Sequence, residues 1–508
     1  MQSRFGIRGK LLRVIIDLYT DTTGEATVNN LVTKRFSILS GVLQGSVLGP
    51  TLFLLFIDDL LEKLHKSKLG INMSAFILSV LAYADDITLF AIDPAKLQLL
   101  LNICHSWSIT NGMLFGIDKC FVVVFNSRSK KPDVLPDFNF GGTKRFPETL
   151  KSFFPEQAPD LYLGYKLTDH VARTKIDSSN TVPHSLVPSF RRKPNSGYLK
   201  LIKSKFSRAR NGTYQLCSNK AILTPSISTR LYKTLQRSTL LYAIEFGDWD
   251  IDQIRELETL QAKALRTCLN SDLQCPQAIL RLFAGVEPIE ARRDLHVLLY
   301  YARLCLYELE SFPNLVHRYR TLNLGVPVGF HCSVLRIFRK YHLEPYWNKI
   351  PSVPHHELKA LFKKSIWKYH WLKDVASSSL KNCPFSSTFL RNAATPSYPY
   401  KANHFTSRLI KQRFSSAALS TILRFWMTPC RLRSCTCAVS TCNLVNHLLF
   451  RCVKTRNLLA SYLAKLTPEL RANFDPNSLS LFFSSIIDSD TLLLDFNLMV
   501  SQFAYRRT

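Results

Sequence analysis

No stretch of this chain reaches the roughly 18 to 20 continuous apolar residues that a membrane-crossing helix needs. Its longest apolar stretches are broken by Asp58-Asp59 and by Asp85-Asp86. The first residues place Arg4, Arg8, Lys10 and Arg13 in an amphipathic pattern and lack the apolar core of a signal peptide. These absences argue against a membrane partner and imply an intracellular protein, in nucleus or cytoplasm. Acid is the second scarcity: 37 Asp and Glu stand against 66 Lys and Arg, a formal net charge of +29. No internal repeat is present. Apolar residues are plentiful, 46% of 508, enough for the cores of two or three domains.

The shortage of acid is uneven. From Ser178 to Ile244 there is no Asp or Glu, while Arg191, Arg192, Lys193, Lys200, Lys203, Lys205, Arg208 and Arg210 accumulate, followed by Lys220, Arg230, Lys233 and Arg237. Tyr198, Phe206 and Tyr214 are interleaved with them. A charge run is usually a solvated face. One this long without a counter-charge is the pattern of a surface that tracks a nucleic-acid backbone, since Lys and Arg contacts to phosphate dominate such binding. Phosphate contacts position a strand and do not read its sequence.

Eight of the thirteen cysteines are scattered through apolar surroundings, as buried thiols are. The other five, Cys430, Cys435, Cys437, Cys442 and Cys452, cluster around His447. Cys435, Cys437, His447 and Cys452 offer four soft ligands within 18 residues, suited to a tetrahedral Zn²⁺ site. The first pair is separated by one residue where two or more are usual, so Cys442 or Cys430 can stand in for one of them, and an incidental cluster is the competing reading.

Asp85-Asp86 is the most informative pair. It lies between apolar runs of strand length, Phe76 to Ala82 and Ile87 to Phe90, where a tight turn would join a hairpin. A lone Asp-Asp in such a place is ordinarily a turn. Carboxylates beside apolar strands are costly unless neutralised, and a hard cation such as Mg²⁺ is a common solution. Phosphoryl-transfer enzymes use two such ions. Upstream, Gln44-Gly45 and Leu48-Gly49-Pro50 mark a rigid turn that opens an apolar helix from about Thr51. Downstream, Asp93-Pro94 caps a helix carrying Leu97, Leu100, Leu101, Cys104 and Trp107 on one face.

Taken in order, Gln44-Gly45, Leu48-Gly49-Pro50, Tyr83-Ala84-Asp85-Asp86, Phe115-Gly116-Ile117-Asp118-Lys119 and Leu161-Tyr162-Leu163-Gly164 resemble the reverse transcriptase of non-LTR (LINE-type) retrotransposons. The resemblance covers roughly residues 5 to 310. It implies that Gln44, Gly45 and Tyr83 lie beside template and incoming nucleotide and that Asp85 and Asp86 hold Mg²⁺. By the same likeness Lys119 protonates the pyrophosphate leaving group, and Tyr162, Leu163 and Gly164 form the primer grip. An RNA template, a DNA primer or target and dNTPs are the implied partners, and the cysteine cluster resembles the family's C-terminal knuckle. Leu241-Tyr242 and Leu257 to Arg266 match the region after the polymerase core. The family's third metal-binding Asp lies on a strand ahead of the segment that begins here. Asp17 does not replace it, because Leu11, Leu12, Val14, Ile15, Leu18 and Tyr19 form the arc expected to be buried and Asp17 falls opposite. An N-terminally truncated, impaired polymerase is therefore expected, with a non-catalytic nucleic-acid-binding remnant as the alternative.

The expected fold is α+β. Residues 1–125 read as a partial palm of short antiparallel sheet and helices, 126–160 as a loop-rich linker, and 161–245 as primer grip and basic thumb. A helical region follows over 246–330. Residues 331–425 are basic and without motif, their Trp347, Trp367 and Trp371 more naturally core than base-stacking platforms. Residues 426–508 hold the knuckle and C-terminal helices. Oligomeric state is not legible.

Overall fold

The computed structural model describes residues 2–29, 31–43, 45–73, 76–125, 136–143, 146–153, 196–217, 225–246, 249–269, 271, 275–307, 311, 313–315, 330–377, 421–422, 425–426, 447–452, 455–474, 482–483, 486 and 489–502. Within them the fold is α+β: mostly helical, with small two-stranded sheets that are antiparallel in all but one case. The chain divides into two compact units, Met1–Asp160 and Leu161–Thr508.

In the first unit, helix α1 (Gly9–Tyr19) is strongly amphipathic, but of the expected buried arc only Ile15 is buried. Leu11, Val14 and Leu18 stay exposed at 58%, 44% and 47%, because no described element covers that face; Asp17 is exposed, as its position on the wheel requires. Helix α2 (Gly49–Lys66) opens with Pro50 in its first turn, where a missing N–H costs nothing. Arg4 ties the N-terminal residues to it through Asp58 at 2.6 Å, Asp59 at 3.1 Å and Glu62 at 2.6 Å. These pairs are exposed and contribute little each.

Strands β1 (Val80–Tyr83) and β2 (Asp86–Leu89) form an antiparallel hairpin. Helix α3 (Pro94–Asn111) follows. The Asp93 carboxylate accepts the Lys96 N–H at 2.8 Å at its start, and Gly112, left-handed at φ 65°, ends it. Its Leu100, Leu101, Cys104 and Trp107 bury against Ile57, Leu60 and Leu64 of α2. Val80, Ile87 and Leu89 of the hairpin close the same core.

A short 3-10 turn (Ile117–Lys119) leads to β3 (Val122–Val123). The segment expected as a loop-rich linker instead carries the hairpin β4 (Phe138–Thr143) and β5 (Phe146–Leu150), then β6 (Ser152–Phe153), which pairs parallel with β3. Phe138, Phe140 and Leu150 are buried in the core of the unit, and Phe140 meets Phe115 edge-on at 5.3 Å. The ladder shifts register between Asn139 and Gly142. Gly141 there has φ +74°, and a Cβ on it would strike the His105 ring, so the glycines mark a bulge rather than a loop. The Gln98 side chain donates to Asn139 O at 2.7 Å and accepts from Asn139 N at 3.0 Å, holding β4 on α3.

The described residues of the second unit are helical. Helices α4 (Ser196–Cys217), α5 (Ile251–Leu269), α6 (Gln277–Ala284), α7 (Ile289–Leu306), α8 (Phe330–Lys340) and α9 (His355–Val375) share one core with the C-terminal helix α10 (Asp490–Ser501). Trp367 and Trp371 are buried in it and Trp347 packs against it. Asp294 of α7 is fully buried. It accepts from Arg293 Nε at 2.7 Å, Lys340 Nζ at 2.9 Å and the Tyr341 hydroxyl at 2.6 Å. Tyr341 Oη also lies 2.7 Å from His370 Nε2. Since the tyrosine proton goes to Asp294, a neutral His370 with its proton on Nε2 completes the chain.

Burial, aided by the Lys340 charge, pushes His370 down to about 4 from 6.5. The folded state thus binds fewer protons than the unfolded one between these values, so stability is full above pH 6.5 and falls as pH drops toward 4. A loss of about 2 kcal/mol between pH 7.5 and pH 5 is expected from this residue. Urea titrations of the native protein and of His370→Phe at both pH values isolate it: equal pH slopes in the two proteins would disprove the assignment.

Candidate active site and nucleic-acid surface

The β1–β2 register pairs Tyr83 with Asp86, Ala82 with Ile87, Leu81 with Thr88 and Val80 with Leu89. Directly opposed residues share a face and neighbours along a strand alternate. Val80, Ile87 and Leu89, which pack on the core, therefore define the inner face. Tyr83, Asp86, Leu81 and Thr88 form the outer one. Only Ala84 and Asp85 lie in the turn, and Ala84 has φ 54°. Such a two-residue loop matches the strand twist at the cost of a left-handed backbone, which glycine would take without strain. Strain of this kind concentrates at functional sites.

Asp85 and Asp86 are both exposed, and Tyr83 beside them is 67% exposed. Neither carboxylate has an ion-pair partner among the described residues. The hairpin thus presents two unneutralised, oxygen-only donors at its tip while its inner face fixes them to α2 and α3. Period-two reading outward from Asp86 would also have found Thr88, which the sequence motifs passed over.

Lys119 ends the 3-10 turn, with its N–H on Gly116 O at 2.9 Å and its side chain exposed. Phe115 and Ile117 pack against the core that holds Ile87 and Leu89, so Lys119 and the hairpin hang from one framework. Gly45 has φ 79°, and Ser46 N bonds to Leu43 O at 3.1 Å, a turn that leads into α2 as expected. Gln44 lies outside the described residues, as do Tyr162, Leu163 and Gly164 of the expected primer grip and Arg191, Arg192 and Lys193.

Lys200, Lys203, Lys205, Arg208 and Arg210 all fall on α4, whose Tyr198, Leu199, Ile202 and Phe206 are buried. At 100° per residue Lys200 and Arg208 point most directly away from that buried face. Lys203 is paired with Glu256 of α5, a counter-charge that the acid-free stretch hid because it comes from a later helix. Lys205 lies 5.9 Å from the centre of the Tyr242 ring. The outward cations of α4 are therefore fewer than the sequence run indicated.

Cys435 and Cys437 of the expected zinc knuckle, and the alternatives Cys430 and Cys442, are outside the described residues, as is the side chain of His447. Cys452 is buried in the second unit's core. Among the described residues no three His, Cys, Asp or Glu side chains gather closely enough to share a metal ion, and no helix is long and apolar enough to cross a membrane.

Residues 3–167 match the family described as reverse transcriptase (RNA-dependent DNA polymerase), a span that takes in nearly all of the first unit. This part of the chain is a reverse transcriptase segment of the non-LTR retrotransposon kind. The chain is 36% identical over 98 residues to the Pol polyprotein from type-2 retrotransposable element R2DM of Drosophila melanogaster, across 19% of this chain and 9% of that protein. It is 28% identical over 141 residues to the Pol polyprotein from type-1 retrotransposable element R2 of Popillia japonica, across 27% and 23%. The matched stretch spans less than a quarter of the length of either relative.

Proposed function

We propose that the chain acts on a primed RNA template as an RNA-directed DNA polymerase. The observation that carries this is the presentation of Asp85 and Asp86, solvent-facing and unpaired among the described residues, at the tip of a core-anchored hairpin inside the matched segment. Their hard oxygen donors fit Mg²⁺ better than any soft metal. Mg²⁺ there would offset phosphate charge and help activate the primer hydroxyl. The primer 3′-hydroxyl loses its proton to solvent, its oxygen bonds to the α-phosphorus of a dNTP as the bond to pyrophosphate breaks, and Lys119 gives the departing oxygen a proton. Gln44, Gly45 and Tyr83 position template and nucleotide, while Tyr162, Leu163 and Gly164 hold the primer end. Lys200, Arg208 and Arg210 of α4 follow the duplex backbone.

A second reading, a nucleic-acid binder that does not polymerise, rests on the carboxylate count: the described residues bring no third acidic group to Asp85 and Asp86. One experiment separates the two. Purified protein with Mg²⁺, dNTPs and a primed RNA template extends the primer in the first case; duplex binding without extension selects the second. Both require salt-sensitive binding. Three phosphate contacts from α4 give a slope of about −3 in log affinity against log salt, and Lys200→Met with Arg208→Met should flatten it by about 2. An unchanged slope removes α4 from the interface.

A further inference from the structure

Between α6 and α7, the Glu287 carboxylate is 4% exposed and takes two guanidinium groups on one oxygen: Arg237 Nη1 at 3.1 Å and Arg292 Nε. Lys233 stands beside them on a π-helical turn, Tyr232–Gln236, and donates to Gly285 O at 3.0 Å. Such turns recur at functional sites. Lys363 of α9 lies 4.0 Å over the Trp367 ring, and the Arg292 guanidinium lies 5.7 Å from the same ring. Two guanidinium groups thus share one carboxylate, with Lys233 beside them and Lys363 across the Trp367 ring from Arg292.

This arrangement is poorly neutralised. Burial, and then repulsion from Arg237 and Arg292, pushes the Lys233 ammonium down to about 8. Burial and Arg237 push Arg292 down to about 10 against the weaker opposing effect of Tyr232. Clustered cations that repel one another cost stability unless an anion joins them. Among the described residues, each guanidinium gives only one N–H to Glu287 out of five. The remaining forks suit phosphate oxygens, which Arg holds with two parallel bonds.

We propose that Lys233, Arg237, Arg292 and Lys363 form a phosphate-binding cluster in the second unit that takes a backbone phosphate of a nucleic-acid strand. The cluster does not depend on polymerase chemistry at Asp85 and Asp86. It gives the region after the reverse transcriptase segment its own grip on the strand. A strand is favoured over an acidic peptide because α4, which packs against the Tyr232–Gln236 turn, adds the outward cations Lys200 and Arg208 and extends the positive surface beyond a single anion.

The test uses the full chain and a labelled single-stranded oligonucleotide, with anisotropy read across a salt series. Lys233→Met and Lys363→Met, singly and together, are compared with Lys465→Met, an exposed change that removes the same charge as either single variant. The double variant should bind about tenfold or more weakly and lose about 0.7 of salt slope per phosphate contact removed, while Lys465→Met stays near the native values. The melting temperature of Lys363→Met should hold or rise, because repulsion is relieved. Equal binding losses in the cluster and control variants would overturn the proposal, and so would a drop in melting temperature with unchanged affinity. A third overturning result separates the phosphate sources: inorganic phosphate raises the native melting temperature through the cluster, yet the oligonucleotide neither competes with it nor binds more weakly in the double variant.

Discussion

Asp85→Asn lowers primer extension by at least about 10² to 10³-fold, the loss that follows removal of one fixed electrostatic partner of a developing charge. The change is nearly isosteric and sits in an exposed turn, so the hairpin register from Val80–Leu89 to Tyr83–Asp86 survives it. Duplex affinity and melting temperature should therefore match the native protein, which confines the defect to chemistry. Asp86→Asn should do the same from the outer face of β2. If extension proceeds at the native rate in Asp85→Asn, the hairpin tip is not the metal site. Ala84→Gly is the useful companion: it relaxes the left-handed residue without touching a carboxylate, and a drop in extension there would show that the strained turn aims Asp85.

Asp294→Asn destabilises the second unit by about 3 to 5 kcal/mol. Burial alone would raise this carboxyl, yet Arg293, Lys340 and the Tyr341 hydroxyl more than offset that and hold it below the usual carboxylate range. Removing its charge strands Arg293 and leaves Lys340 to Glu290 alone, at 2.7 Å, in a site with no solvent at Asp294 itself, which is 0% exposed. Five of the six tryptophans belong to the second unit, so tryptophan fluorescence in a urea titration follows that unit nearly alone. Arg293→Met added to Asp294→Asn should recover part of the loss by removing the stranded charge. A change below about 1 kcal/mol in the single variant, or no recovery in the double, would mean the network is dispensable.

What could be read from the sequence was whatever is encoded locally. Asp93 and Pro94 mark the start of α3, and its apolar spacing named the residues that α2 covers. The β1–β2 hairpin followed from two apolar runs with the acidic pair between them, and that is most of the candidate site; the structure moves Asp86 from the turn onto β2. Features that depend on distant partners were hidden. Gly141 and Gly142 resemble a loop until His105 and the bulge explain them. The α4 cations look unopposed until Glu256 appears from α5, and Lys233 and Arg237 look like part of one basic run until Arg292 and Lys363 arrive from α7 and α9. Hydrophobic patterning on α1 likewise says which face is apolar without saying whether anything rests on it.

The Gln98 amide on Asn139 has a bearing on how copies of the chain meet. A strand with an open flank is a template on which another chain can pair. Asn139 faces Thr149 across its own hairpin, and both of its main-chain groups are turned to the glutamine. An incoming strand finds neither donor nor acceptor at that step of β4, so the amide that fastens the hairpin to α3 also works as a gatekeeper against edge-to-edge association.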